Sequence, residues 1–101
     1  MKKILLVCNL GMSTSLLVTN MEKYAKSIDL DVEINAVPIT VVEKEMFDWD
    51  IIMLGPQVRH VLKKLESVSK GKIPIEIIDM KDYGLMKGDN VVNAALKALE
   101  S

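Results

Sequence analysis

The sequence predicts an α/β domain in which a four-stranded parallel sheet lies between two layers of helices. Short apolar runs alternate with stretches of helical periodicity along nearly all of the 101 residues, which is the pattern of parallel strands joined by helical crossovers. Half of the residues are hydrophobic, so the chain can bury an ordinary core, but its length leaves no room for a second one. Residues 1–101 are therefore expected to form one three-layer domain.

The first strand and the first helix are predicted on either side of a short loop. Ile4–Val7 is a continuous apolar run, which suits a strand that is buried on both faces. From Ser13 onward the apolar residues follow a helical stripe that includes Leu17, Met21 and Ile28. Ser13 is expected to be the N-cap, because its hydroxyl can accept a hydrogen bond from an early amide group of the helix.

The second strand has the pattern of an edge strand. The apolar residues of Val32–Ala36 alternate with Glu33 and Asn35, so one face of this strand is expected to meet solvent. Pro38 breaks the strand, and Thr40–Phe47 is predicted as a short helix before the next buried strand.

The second half of the chain is predicted to add two strands and two helices. In chain order these are a strand at Ile51–Leu54, a helix from Pro56 to Lys70, a strand at Pro74–Ile78, an irregular stretch at Asp79–Asp89 and a helix at Val91–Leu99. Pro56 suits a first helical turn, and Gly71 is expected to be the C-cap of the helix that it follows. With the second strand at an edge and right-handed crossovers, the expected strand order is 2-1-3-4, which is flavodoxin-like.

This strand order predicts where a ligand binds. The winding of the sheet reverses between the first and third strands, and ligands of such sheets bind outside the carboxyl ends of the strands at that point. The loops at this position are Cys8–Ser13 and Gly55–Gln57. A functional site is therefore expected where these two loops meet.

Composition argues against several classes of protein. There are 13 basic and 14 acidic residues and only 4% aromatics, so the chain lacks the basic stripe and stacking side chains of a nucleic-acid binder. One cysteine forms no internal disulfide, and one cysteine with one histidine is too few for a structural zinc site. The apolar run Ile4–Val7 is too short for a secretory or membrane-spanning segment. We expect a soluble cytoplasmic protein that uses no metal and no cofactor.

The segment that carries the most chemistry begins at Cys8. The sole cysteine lies where a strand passes through a glycine-containing loop into a helix, and amide groups in such a loop form an anion-binding nest. Ser13, Thr14 and Ser15 add hydroxyl groups where phosphate oxygens would lie. The helix dipole favours a thiolate and burial opposes it, so we expect a modestly acidified cysteine. The alternative interpretation is that Cys8 is a small buried hydrophobe that ends a core strand.

Two other functions that use a similar site fit the sequence less well. A cysteine phosphatase needs an arginine six positions after the cysteine, where Thr14 stands, and the single arginine, Arg59, is predicted on a different helix. It also needs a general acid, for which Asp79 or Asp82 would be candidates. A receiver or flavin-binding module would need acidic residues at Cys8 and Asn9 or stacking aromatics around the site. A loop that holds a phosphorylated cysteine is the favoured interpretation.

Two motifs together resemble a known family. Cys8-x-x-Gly11-Met12-Ser13-Thr14-Ser15 follows the first strand and Leu54-Gly55-Pro56-Gln57 ends the third. This combination resembles the lactose/cellobiose-type enzyme IIB of the bacterial sugar phosphotransferase system, over essentially the whole chain. The size of the chain makes the resemblance closest to the cellobiose and chitobiose members.

The resemblance implies a function and a set of site residues. In that family a cysteine, held in a phosphatase-like loop, accepts a phosphoryl group from a histidine of enzyme IIA. It passes the group to a sugar that enters through the membrane-embedded enzyme IIC. Carried over to this chain, Cys8 is the phosphocysteine, and the sugar is expected to be a β-disaccharide such as cellobiose or chitobiose. The residues of the implied phosphate cradle are Asn9, Leu10, Gly11, Met12, Ser13, Thr14 and Ser15.

A few further residues are weaker candidates. Gln57 could donate to the phosphate or to enzyme IIA, although a turn that starts a helix explains its neighbours without any function. Tyr83 could form part of the rim of the site or an apolar cover over the sheet end. His60 is predicted to be a solvated surface residue away from the loop. Leu10 and Met12 are candidate interface residues, because an apolar rim would suit transient docking.

Overall fold

The structure is a computed structural model that describes residues 1–9 and 12–100, with only the backbone described at positions 12 and 13. Its strands are β1 (Lys2–Val7), β2 (Val32–Val37), β3 (Ile51–Leu54) and β4 (Ile75–Ile77). Its α-helices are α1 (Met12–Ser27), α2 (Val42–Glu45), α3 (Leu62–Ser69), α4 (Met80–Gly84) and α5 (Gly88–Glu100). There are also two 3₁₀ segments: Met46–Asp48 ends two residues before β3, and Pro56–Val61 directly precedes α3.

The four strands form one parallel sheet in the order β2-β1-β3-β4, which confirms the predicted strand order. β1 lies inside the sheet, where Leu5 pairs with Asn35 on one side and with Ile52 on the other. All residues of β3 are buried. Asn35 and Glu33 are exposed on β2, as expected of an edge strand.

Helices cover both faces of the sheet, so the domain has the three layers that the sequence predicts. Successive side chains of β1 point to opposite faces. Ile4 and Leu6 join one core with apolar residues of α1 and α5, and Leu5 and Val7 join the other with Met46 of the first 3₁₀ segment and Leu65 of α3. Among the described residues, no helix has both the length and the apolar character needed to cross a membrane.

The prediction that Asp79–Asp89 is irregular was wrong. The Asp79 carboxylate accepts hydrogen bonds from the amides of Lys81 at 2.9 Å and Asp82 at 3.1 Å, and it thereby N-caps α4. α5 begins at Gly88, earlier than the predicted start at Val91. Aspartate is a strong N-cap residue, so the sequence did contain the signal for α4.

Four further details of the predicted helices differ from the structure. α1 begins at Met12, so Ser13 is its second residue and not its N-cap. Lys70, with a φ of 53°, takes the left-handed C-cap position of α3 that was predicted for Gly71. The first helix ends before Ile28, which is 45% exposed and outside the buried stripe. The predicted helix Thr40–Phe47 is divided between α2 and a 3₁₀ segment.

α5 packs against α1 at a point where the two backbones nearly touch. A Cβ atom added at Gly88 would lie 2.5 Å from the Asn20 carbonyl carbon and closer still to the Met21 amide nitrogen. Two hydrogen bonds flank this contact: Asn20 Nδ2 donates to the Met86 carbonyl at 2.9 Å, and the Tyr24 hydroxyl donates to Asn93 Oδ1 at 3.0 Å. Glycine at position 88 therefore permits the close packing of α5 that closes one core.

Candidate functional site

The carboxyl ends of the strands are tied together by backbone hydrogen bonds at the edge where the sequence predicts a site. The Cys8 amide donates to the Val37 carbonyl at 3.2 Å, and the Gly55 amide donates to the Val7 carbonyl at 2.8 Å. The Ile78 amide donates to the Leu54 carbonyl at 2.8 Å. Because these bonds run across neighbouring strands, the segments that follow β1, β3 and β4 emerge side by side.

Cys8 lies at this edge with its sulfur in a buried hydrogen-bonded chain. Cys8 is only 2% exposed, and its Sγ atom lies 3.1 Å from Thr14 Oγ1. Thr14 is on α1 and is also 2% exposed, and its hydroxyl oxygen lies 3.3 Å from the hydroxyl of Tyr83 on α4. The structure thus brings together Cys8, Thr14 and Tyr83, three of the predicted site residues. Tyr83 is joined to the site by its polar atom and is more than an apolar cover.

The expectation of a modestly acidified Cys8 was wrong. Burial raises the pKa of the Cys8 thiol above its ordinary value, and the hydrogen bond between Cys8 and Thr14 lowers the pKa by less than burial raises it. A charged sulfur loses its hydration on burial, and one hydroxyl group does not replace that loss. At neutral pH the resting protein therefore carries a protonated thiol at position 8.

This raised pKa makes the stability of the fold depend on pH in the alkaline range. Between the ordinary and the raised pKa, the folded state binds more protons than the unfolded chain, so the free energy of unfolding falls as pH rises. We expect the stability of the wild-type protein relative to a Cys8→Ala variant to be constant below the ordinary thiol pKa. Above it, this difference declines by at most about 1.4 kcal/mol for each pH unit. Urea titrations at a series of pH values measure the difference, and an increase with pH would contradict the assignment.

Gly55 allows the turn after β3 to approach the cysteine closely. A Cβ atom added at Gly55 would lie 3.1 Å from Cys8 Cβ and 2.8 Å from Gln57 Oε1. Gln57 is an exposed residue, yet its side-chain oxygen folds back over Gly55 towards Cys8. Cys8 and the turn at Gly55 therefore lie side by side, and Gln57 Oε1 lies near the same glycine.

A pocket of about 310 Å³ opens beside Tyr83, the outer member of the hydrogen-bonded set Cys8, Thr14 and Tyr83. It is lined by Pro56, Gln57, Arg59, Met80, Tyr83 and Gly84. Arg59 and Met80 are neighbours of the site that the sequence motifs did not indicate, and Arg59 was predicted only to lie on a different helix. The signal that could have found them is the strand order, since the segments after neighbouring strands β3 and β4 must emerge at the same edge.

The structure describes only some of the remaining predicted site residues. Asn9 and Ser15 are exposed, next to the strand end and in the first turn of α1. Leu10 and Gly11 lie outside the described residues, as do the side chains of Met12 and Ser13. The amide cradle around Cys8 and the interface role of Leu10 and Met12 consequently stay predictions. His60 is exposed, as predicted for a surface residue.

The fold and the site together define a small doubly wound α/β protein with a candidate cysteine nucleophile at the end of its first strand. The family model of the lactose/cellobiose-specific IIB subunit of the phosphotransferase system (PTS) matches residues 3–94. The chain belongs to this family, and IIB components of the PTS are phosphotransferases. It is therefore a sugar-specific IIB component of the cellobiose/lactose type.

Individual relatives agree with this assignment over nearly the whole chain. The chain is 41% identical to the oligo-beta-mannoside-specific EIIB component of Bacillus subtilis (strain 168), covering 98% of this chain and 97% of that protein. It is 40% identical to the cellobiose-specific EIIB component of Lactococcus lactis subsp. lactis (strain IL1403), covering 93% of each. A galactose-specific EIIB component of Lactococcus lactis subsp. cremoris (strain MG1363) matches with the same identity and coverage.

Solved structures show the same fold. The solution structure of a cellobiose-specific phosphotransferase IIB component from Borrelia burgdorferi is 45% identical, with a TM-score of 0.82 over 98% of this chain and 92% of that one. The lactose-specific IIB component domain from Streptococcus pneumoniae has a TM-score of 0.84 at 21% identity over 96% of each chain, which supports the fold alone.

Proposed function

We propose that this protein is a cytoplasmic phosphoryl carrier in which Cys8 accepts the phosphoryl group from a phosphohistidine of enzyme IIA and passes it to a sugar that enters through enzyme IIC. The observation that carries the proposal is the hydrogen bond at 3.1 Å between Cys8 Sγ and Thr14, at the edge of the sheet where Cys8 lies beside Gly55. Membership of a phosphotransferase family supports the class of reaction.

The first transfer is an in-line displacement at phosphorus. The sulfur lone pair forms the S–P bond as the N–P bond of the phosphohistidine breaks, and the electron pair of that bond stays on the imidazole nitrogen. Because burial raises the pKa of Cys8, the thiol proton has to leave during the reaction, and the departing imidazole nitrogen is a base that can take it. In the second transfer a sugar hydroxyl oxygen forms the new O–P bond. The S–P electron pair returns to sulfur, which can accept the hydroxyl proton.

Donor groups near Cys8 would hold the phosphoryl group between the two transfers. α1 begins at Met12, close behind the cysteine, and its first turn carries no acidic side chain. The amides of such a turn lack intrahelical acceptors and carry partial positive charge, which favours a dianion. We assign the cradle to the backbone amides of residues 9–15, together with the Thr14 hydroxyl.

The structure favours a carrier over a phosphatase. The position six residues after the cysteine holds Thr14, whose hydroxyl contacts the sulfur itself and offers no bidentate clamp for a phosphate. The candidate general acids are committed elsewhere or exposed: Asp79 caps α4, and Asp82 accepts a hydrogen bond from Asn90 at 3.0 Å. We expect no turnover of a simple aryl phosphate.

The proposed sugar is a β-disaccharide such as cellobiose or chitobiose. Two of the relatives carry names with β-linked sugars, an oligo-beta-mannoside and cellobiose. The galactose-specific relative matches with the same 40% identity as the cellobiose-specific one, so overall identity does not select the sugar. A panel of disaccharides offered with the membrane component would identify it.

Intact-protein mass spectrometry tests the carrier function directly. Mixed with phosphorylated enzyme IIA, the protein is expected to gain a single phosphoryl group, because Cys8 is the sole cysteine and therefore the only thiol that can accept it. Mixed with unphosphorylated enzyme IIA, or with inorganic phosphate, it is expected to keep its mass. Gain of a second group, or of any group without the phosphorylated donor, would contradict the proposal.

A further inference from the structure

Thr14 is the middle residue of a buried series of hydrogen bonds that links Cys8 to Tyr83, a residue far away in the sequence. Its hydroxyl oxygen lies 3.1 Å from Cys8 Sγ and 3.3 Å from the Tyr83 hydroxyl. Cys8 and Thr14 are each 2% exposed and Tyr83 is 8% exposed, so bulk water does not compete freely for these bonds. The hydrogen-bonding state of the sulfur is thus coupled to α4 through Thr14.

The direction of these hydrogen bonds depends on the charge of the sulfur. A thiol can donate to Thr14, whose hydroxyl can then donate to Tyr83. A thiolate can only accept, so Thr14 must turn its single hydroxyl hydrogen towards the sulfur. The oxygen of Thr14 is then free to accept, and the Tyr83 hydroxyl is placed to donate to it. Ionisation of Cys8 therefore selects one of two arrangements.

We propose that Tyr83 is a positioning residue for the Cys8 thiolate: it donates to Thr14 and so holds the Thr14 hydrogen on the sulfur. Its hydroxyl contacts Thr14, so its effect on Cys8 passes through that residue. Hydrogen bonds to an ionised acceptor are stronger than those to a neutral one. When the Tyr83 hydroxyl donates to the Thr14 oxygen, it polarises the Thr14 hydroxyl and strengthens the bond from Thr14 to the sulfur. The relevance of the thiolate rests on the proposed function, in which Cys8 is the nucleophile.

The pH dependence of Cys8 alkylation tests this role without any phosphoryl donor. Iodoacetamide reacts with the thiolate, and Cys8 is the sole cysteine, so the pH dependence of the rate reports on the ionisation of Cys8. For Tyr83→Phe we expect the rate profile to shift to higher pH and the rate at neutral pH to fall about three- to tenfold. Tyr24→Phe is the matched control, because it removes a hydroxyl bonded to Asn93 at 3.0 Å and is expected to leave the profile unchanged.

A double-mutant cycle shows whether Tyr83 acts through Thr14. Thr14→Val is expected to shift the profile at least as far as Tyr83→Phe, and adding Tyr83→Phe to it should cause no further shift. An unchanged profile for Tyr83→Phe, the same shift for Tyr24→Phe, or additive shifts in the double variant would each overturn the proposal. Urea unfolding of every variant checks that the fold is retained.

Alkylation and phosphorylation experiments test the positioning role of Tyr83 and the carrier function separately. Alkylation measures the sulfur alone, whereas phosphoryl acceptance needs phosphorylated enzyme IIA. A shifted alkylation profile in a protein that never accepts a phosphoryl group would support the positioning role and reject the carrier function. An unshifted profile in a protein that is phosphorylated at Cys8 would reject the positioning role alone.

Discussion

Replacement of Cys8 by serine is expected to abolish transfer of the phosphoryl group to sugar. The hydroxyl is close to the thiol in size, but a serine oxygen is almost never ionised without an adjacent base. The polar neighbour of this position is another hydroxyl, that of Thr14. Loss of a nucleophile in this way typically costs roughly a thousandfold in rate or more. Sugar phosphorylation with enzyme IIA and membrane-embedded enzyme IIC measures the loss.

Replacement of His60 by alanine is the matched control for this experiment. His60 is the only histidine, it is exposed, and a phosphorylated histidine would be the obvious alternative carrier. We expect this variant to retain full transfer. Complete phosphorylation of the Cys8→Ser protein in intact-mass spectra, or loss of phosphorylation in the His60→Ala protein, would refute the assignment of Cys8.

Replacement of Gly88 by alanine is expected to give a large loss of stability from a single methyl group. The added Cβ would meet the backbone of α1 at Asn20 and Met21, and a backbone cannot turn aside as a flexible side chain can. α5 must then move outward and loosen the core that Val91 and Val92 complete. Overpacking of this kind typically costs about 1–3 kcal/mol, which urea unfolding can measure.

Gly84→Ala is a matched control for the Gly88 variant. A Cβ atom added at Gly84, at the end of α4, would meet no heavy atom within 4 Å apart from its chain neighbours and the backbone of its own helix. Alanine is also the better helix former, so we expect Gly84→Ala to be neutral or slightly stabilising. Equal losses in the two variants would show that the effect comes from glycine replacement in general and not from contact with α1.

The strand order could be predicted because its signal is local. Glu33 and Asn35 mark β2 as the edge strand, and handedness then leaves few arrangements of the others. The position of Cys8 at the carboxyl end of β1 followed from the same order. These features depend on short-range patterns, which a sequence displays directly.

The links within the site could not be predicted in the same way. The contact between Thr14 and Tyr83 spans 69 positions and depends on α4, a helix that the sequence analysis treated as irregular. The direction of the pKa shift of Cys8 depends on how completely the surroundings remove water from the sulfur. Both properties arise from packing between distant segments, so local patterns carry little information about them.

The shielding of the Cys8 sulfur has a consequence for a cell under oxidative stress. Peroxide attacks thiolates, and attack is fastest on those that solvent can reach. Cys8 is 2% exposed, and burial keeps its thiol protonated. Both properties slow the oxidation of Cys8 to a sulfenic acid. The fold thereby protects from oxidation the sulfur that is proposed to accept the phosphoryl group.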